Sequence, residues 1–81
     1  MKTIDLHGYT VEDAMNAAEK FVDNCFVERE IEAMIITGSG KIYHQVLGAV
    51  RQNPLVSLIH NDGPLGFKYR GHIYLELGPA P

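Results

Sequence analysis

Between Thr3 and Val50 the hydrophobic period of the chain switches from strand to helix twice, and each switch passes through glycine. Ile4-Asp5-Leu6-His7-Gly8 precedes the first helical stretch, and Ile35-Ile36-Thr37-Gly38-Ser39-Gly40-Lys41 precedes the second. Strand, glycine turn and helix in that order build a parallel βαβ unit, whose successive strands end side by side. An acid and an imidazole, Asp5 and His7, are thereby expected beside a glycine-lined helix start suited to holding phosphate. The pairing points to recognition of a nucleic-acid backbone, or to chemistry on it.

The rest of the chain completes a small α/β unit. Thr3 to Leu6 reads as the first strand. Thr10 is a good helix N-cap with Asp13 three residues on. Val11, Met15, Ala18, Val22 and Cys25 recur at helical spacing, with Ala14, Phe21 and Phe26 widening the apolar stripe, so a helix is predicted from Val11 to Val27. Ile31 to Ile36 is a short apolar run of the kind found in a buried strand. Ile42, Val46, Leu47 and Val50 mark a second helix, ended by Asn53-Pro54. Leu55 to Ile59 reads as a third strand, His60 to Arg70 as a loop, and His72 to Leu77 as a fourth strand. In that last strand Ile73, Leu75 and Leu77 alternate with His72, Tyr74 and Glu76, which suits a sheet covered on one side. The expected fold is a two-layer β-α-β-α-β-β sandwich: a four-stranded mixed sheet with both helices on one face, formed by residues 1–81 as a single domain.

Charge narrows the partners. The net charge of −3 argues against a strong non-specific nucleic-acid binder, which usually clusters Lys and Arg. The acids, however, concentrate between Glu12 and Glu32, whereas the second half carries Lys41, Arg51, Lys68 and Arg70 against Asp62 and Glu76. A local positive face is compatible with that distribution. No apolar run is long enough for a membrane helix, so no membrane partner is expected. No secretory leader is visible at Met1-Lys2, and the single cysteine, Cys25, suits a reducing cytoplasmic setting.

Each candidate site residue has a chemical reading and a plainer one. Asp5 and His7 lie two apart and share a side of the chain; the carboxylate can orient the imidazole as a proton-transfer group, or Asp5 can simply cap the turn. Gly38, Ser39, Gly40 and Lys41 can bring backbone amides and one ammonium to a phosphate, or form a tight turn that needs unusual dihedrals. Phe67-Lys68-Tyr69-Arg70 interleaves aromatic and basic residues. Lys68, Tyr69 and Arg70 can stack bases and pair with phosphates, while Phe67 reads better as packed on the core. His44, His60 and His72 match no zinc spacing and read as surface histidines. No cofactor is implied, and a divalent ion assisted by Asp5 stays open.

Asp5-Leu6-His7-Gly8 after a strand, a capped helix, Thr37-Gly38-Ser39-Gly40-Lys41, Asn53-Pro54-Leu55-Val56, and a close on Gly71 and an apolar strand together resemble the Smr (small MutS-related) domain, from Ile4 to Leu77. The resemblance implies nucleic-acid binding and, in many members, endonuclease activity on DNA or RNA. It ties the D-x-H positions, here Asp5 and His7, to cleavage, and the glycine positions, here Gly38 and Gly40, to substrate binding. The alternatives to an endonuclease are a nucleic-acid-binding module without catalysis and a protein-interaction module docking through a sheet edge.

Overall fold

The computed structural model describes residues 1–38 and 40–78. Its elements are β1 (Lys2–Asp5), α1 (Val11–Val27), β2 (Glu32–Ile36), α2 (Lys41–Arg51), β3 (Val56–Ile59) and β4 (His72–Leu77), with two short 3-10 turns, His60–Asp62 and Gly66–Tyr69, between β3 and β4. The order is the expected β-α-β-α-β-β, and the strands form one mixed sheet arranged β1-β2-β4-β3. β1 and β2 are parallel, and β4 runs antiparallel to both β2 and β3. The last strand is therefore central. It fills the slot between β2 and β3, which α2 leaves by carrying the chain two positions along the sheet, and the shorter β1 and β3 form the edges.

Alternation decides which face is covered. Ala33 and Ile35 of β2 and Ile73, Leu75 and Leu77 of β4 are buried, together with Ile59 of β3. They meet Ala14, Ala18, Val22 and Cys25 of α1 and Val46, Leu47 and Val50 of α2 in one core. The small side chains on α1 let that helix lie close to the sheet. Large fully buried residues such as Leu6, Ile35, Ile73 and Leu75 each contribute about 1.5–3 kcal/mol by leaving water. The intervening residues, Asp5 of β1, Ile36 and Met34 of β2, and His72, Tyr74 and Glu76 of β4, form the second face, which no helix covers.

α1 is capped as the sequence predicts: the Asp13 amide donates to Thr10 Oγ1 at 3.1 Å. At its other end Glu30 N–H reaches the Cys25 carbonyl and Arg29 N–H the Phe26 carbonyl, which places Arg29 at a left-handed φ of 61°. Around the end of α1, two apolar residues depart from expectation. Phe26 is 43% exposed, because it lies just off the stripe as α1 ends, and Ile31 is 72% exposed, because β2 begins one residue later.

The segment between β3 and β4 is organised by Asn61. Its side-chain amide donates to the His72 carbonyl at 2.7 Å and to the Tyr43 hydroxyl at 2.9 Å, while its carbonyl oxygen accepts from Tyr74 N–H at 3.0 Å. One side chain thus continues the ladder of β4 where β3 stops. Gly66 packs directly on that turn, and a β-carbon there would collide with the Asn61 carbonyl oxygen. Phe67, expected to pack on the core, is 74% exposed, since the second 3-10 turn projects it outward.

Candidate nucleic-acid interface

Three chain segments converge at one end of the sheet. The parallel ladder pairs Asp5 with Ile36, and Leu6 N–H extends it to the Ile36 carbonyl at 2.7 Å, so the segments leaving β1 and β2 depart side by side. β4 begins at the same end, with His72 opposite Ile36. The amides of Thr37 and Gly38 both donate to the Gly71 carbonyl, at 2.9 and 3.1 Å. The buried Thr37 hydroxyl donates to the Gly38 carbonyl at 2.7 Å, with the Gly71 carbonyl 3.3 Å away. These bonds stitch the glycine turn to the entry of β4.

Asp5 and His7 touch. Asp5 Oδ1 accepts from the His7 backbone N–H at 3.0 Å and lies 3.2 Å from His7 Nδ1. The two readings of Asp5, turn cap and imidazole partner, are thus one arrangement. The His7 amide first, and its ring second, hold the Asp5 carboxyl below its ordinary range, with a smaller contribution from His72 across the sheet. A carboxylate can only accept, so Nδ1 carries the proton in the neutral ring and Nε2 keeps its lone pair. The His7 side chain is 76% exposed, which puts Nε2 within reach of a substrate in solvent.

Both helices start at this end, and they start differently. α1 has a Thr10 cap and two acids in its first turn, Glu12 and Asp13. Its amides are partly satisfied and its dipole is already answered by negative charge. α2 has Gly40 at its N-cap, no side-chain cap bond and no acid in its first turn, which opens instead with Lys41. An anion arriving here meets open amides and a cation at α2, and carboxylates at α1. Gly38 adopts φ 78°, a conformation that favours glycine, and nothing lies within 4 Å of where a β-carbon on Gly40 would stand. Ser39 lies outside the described residues.

The other candidates flank this end. Lys68 and Arg70 are exposed, and Arg70 directly precedes the Gly71 anchor. Lys2 is paired with Glu28 and Arg51 with Asp62, whereas Lys41, Lys68 and Arg70 have no ion pair among the described residues. Tyr69 is half-buried, its ring edge-on to Tyr74 at 5.8 Å. His60 stacks on Tyr74 at 4.2 Å, and its Nε2 lies 2.8 Å from Glu76 Oε2. A hydrogen bond to Glu32 pushes the Tyr74 phenol above its ordinary range. This cluster covers the middle of the open face.

A family model of the Smr domain matches residues 4–77. This chain belongs to the Smr domain family. The crystal structure of the Smr domain of Thermus thermophilus MutS2 superimposes with a TM-score of 0.83 over 98% of this chain and 100% of that one, at 22% identity. At that identity the likeness establishes the fold. No curated protein matches the chain by sequence. Smr domains are nuclease-related domains that bind nucleic acid, and the convergence of segments described above is where this Smr domain carries amides, cations and an exposed imidazole together.

A separate groove lies between α1 and α2, lined by Met15, Glu19, Val22, Asp23, Val50 and Leu55. Its two carboxylates make it unsuited to phosphate. No group of three or more His, Cys, Asp or Glu side chains among the described residues is arranged to hold a metal ion. Among the described residues no helix is long and apolar enough to cross a membrane. Sequence reasoning missed Thr37, Asn61 and His72. Each acts through strand pairing that the linear pattern does not reveal, although the alternation of β4 had already put His72 on the open face.

Proposed function

We propose that this Smr domain is an endonuclease that cleaves phosphodiesters of DNA or RNA at the end of the sheet where Asp5, His7 and the glycine turn meet. In this reading His7 Nε2 accepts a proton from the attacking group. Asp5 holds the ring in the tautomer that leaves Nε2 free. The amides at Gly38 and Gly40 and the Lys41 ammonium take the charge on the phosphate. Lys68 and Arg70 bind neighbouring phosphates, and Tyr69 offers part of its ring to a base. A divalent ion, if one takes part, would draw on Asp5 alone among these groups. The observation that carries the reading is the Asp5–His7 contact, exposed and at the same sheet end as an uncapped helix start.

The test is cleavage of end-labelled RNA and DNA by wild type and His7→Ala. The expected result is loss of cleavage by about 10²–10⁴-fold with an unchanged melting temperature. Undiminished cleavage by the variant removes His7 from the reaction. A binding module without catalysis is the second reading, favoured by the carboxylates of Glu32 and Glu76 on the open face and by the net charge of −3. It is met by retained binding without product. Either reading expects weak salt dependence, a slope of about −2 for three cations on a single strand.

A further inference from the structure

We infer that His72 is the general acid that completes a two-histidine, RNA-cleaving centre with His7. The inference rests on the endonuclease reading and specifies its substrate and its second proton-transfer group.

Strand register brings His72 into line with Asp5. Asp5 pairs with Ile36, and Ile36 pairs with His72, so the three form one row across the sheet. Asp5 and His72 both belong to the face that no helix covers, while their neighbours Ile4 and Ile73 pack toward the core. Two strand spacings separate their α-carbons by about 10 Å, with Ile36 between them. That gap admits a phosphodiester between an imidazole held on Asp5 and an imidazole rising from β4. The entry of β4 is fixed to the glycine turn, through the Gly71 carbonyl, and to Asn61, which takes the His72 carbonyl itself.

The remaining histidines are spent or misplaced. His60 is bound to Glu76 and stacked on Tyr74, and His44 lies on α2 against Tyr43. The His72 side chain is exposed and makes no hydrogen bond among the described residues. Among the described residues it is the one imidazole in the row that leads to Asp5.

His7 Nε2 takes the proton of a 2′-hydroxyl, and the 2′-oxygen forms a bond to phosphorus. The bond from phosphorus to the 5′-oxygen breaks and its electron pair leaves with that oxygen. The protonated His72 ring gives its proton to the departing oxygen. The products are a 2′,3′-cyclic phosphate and a 5′-hydroxyl, and the requirement for a 2′-hydroxyl makes the substrate RNA.

The experiment compares an ordinary oligoribonucleotide with one whose scissile 5′-oxygen is replaced by sulfur, a leaving group that needs no acid. His72→Ala and His72→Gln are expected to slow cleavage of the ordinary strand by about 10²–10³-fold. Both should cleave the sulfur-bridged strand within a few-fold of wild type, whereas His7→Ala stays slow on both. Equal loss on the two substrates, or no loss on the ordinary one, overturns the role of His72; unchanged melting curves exclude unfolding as the cause. Cleavage of an all-deoxy strand at the RNA rate overturns the inference and leaves the endonuclease reading standing. Failure of wild type to cleave any strand overturns both.

Discussion

The open face of the sheet holds two histidine–carboxylate pairs, and they are built for different ends. His7 and Asp5 are two residues apart, both exposed, and the ring keeps Nε2 clear of protein. His60 and Glu76 are sixteen residues apart and half-buried; the ring gives Nε2 to the carboxylate and its face to Tyr74. In the proposed function the first pair serves as a reagent, whereas the second is a strut between the 3-10 turn and β4. What distinguishes them is which ring nitrogen is left over and whether the ring face is covered. Proximity of an acid to an imidazole is therefore not enough to name a site.

The largest expected effect separates the pairs directly. His7→Ala removes cleavage and leaves stability unchanged, whereas His60→Ala keeps most of the cleavage and lowers stability by about 1.5 kcal/mol, the sum of one stacking contact and one half-buried hydrogen bond. Parallel cleavage assays and urea titrations of the two variants check this. An inactive but fully stable His60→Ala would move the reactive centre to the middle of the face.

The strut is itself held by the turn that precedes β4, so a second prediction concerns Asn61 and Gly66. Asn61→Ala frees the His72 carbonyl and Tyr74 N–H and is expected to cost about 2–3 kcal/mol. Gly66→Ala forces a β-carbon against the Asn61 carbonyl and is expected to cost about 1–3 kcal/mol. Amide exchange of Tyr74 should quicken in both. If it does not, the Asn61 bridge is not what fixes the entry of β4.

The smallest effect is a pH signature. The folded state holds the Asp5 carboxyl below its ordinary value of 3.8, chiefly through the His7 amide. A depressed folded value means stability that is present above 3.8 and is lost as pH falls through the folded pKa. Asp5→Ala should therefore be slightly less stable than wild type at neutral pH, with the gap closing in acid below 3.8. Because the pair is exposed, the gap is small. A gap that widened in acid would contradict the assigned contact.

Much of this arrangement was legible in the sequence. The period changes around Gly8 and Gly38 report two βαβ turns, and local chemistry such as the Thr10 cap and the Asp5–His7 pair needs only neighbours. What depended on β4 was hidden. Nothing local says that the last strand enters between β2 and β3, so His72 looked like a surface residue rather than one in register with Asp5. Asn61 looked like loop composition, because Tyr43, His72 and Tyr74, which its side chain joins, lie eleven to eighteen residues away. Phe67 misled for the opposite reason: an aromatic flanked by glycine in a short 3-10 turn is carried outward by the turn, whatever its own preference for burial.

The central claim is that the turn after β1, the amide-rich start of α2 and the entry of β4 form one anion-binding end. The most direct measurement is a ¹⁵N amide-shift titration with a short, uncleavable 2′-deoxy oligonucleotide. The account predicts the largest shifts at His7, Gly38, Gly40, Lys41 and His72, all saturating with one dissociation constant. Shifts confined to the groove between α1 and α2, around Met15 and Val50, or two groups of shifts with separate constants, would contradict it.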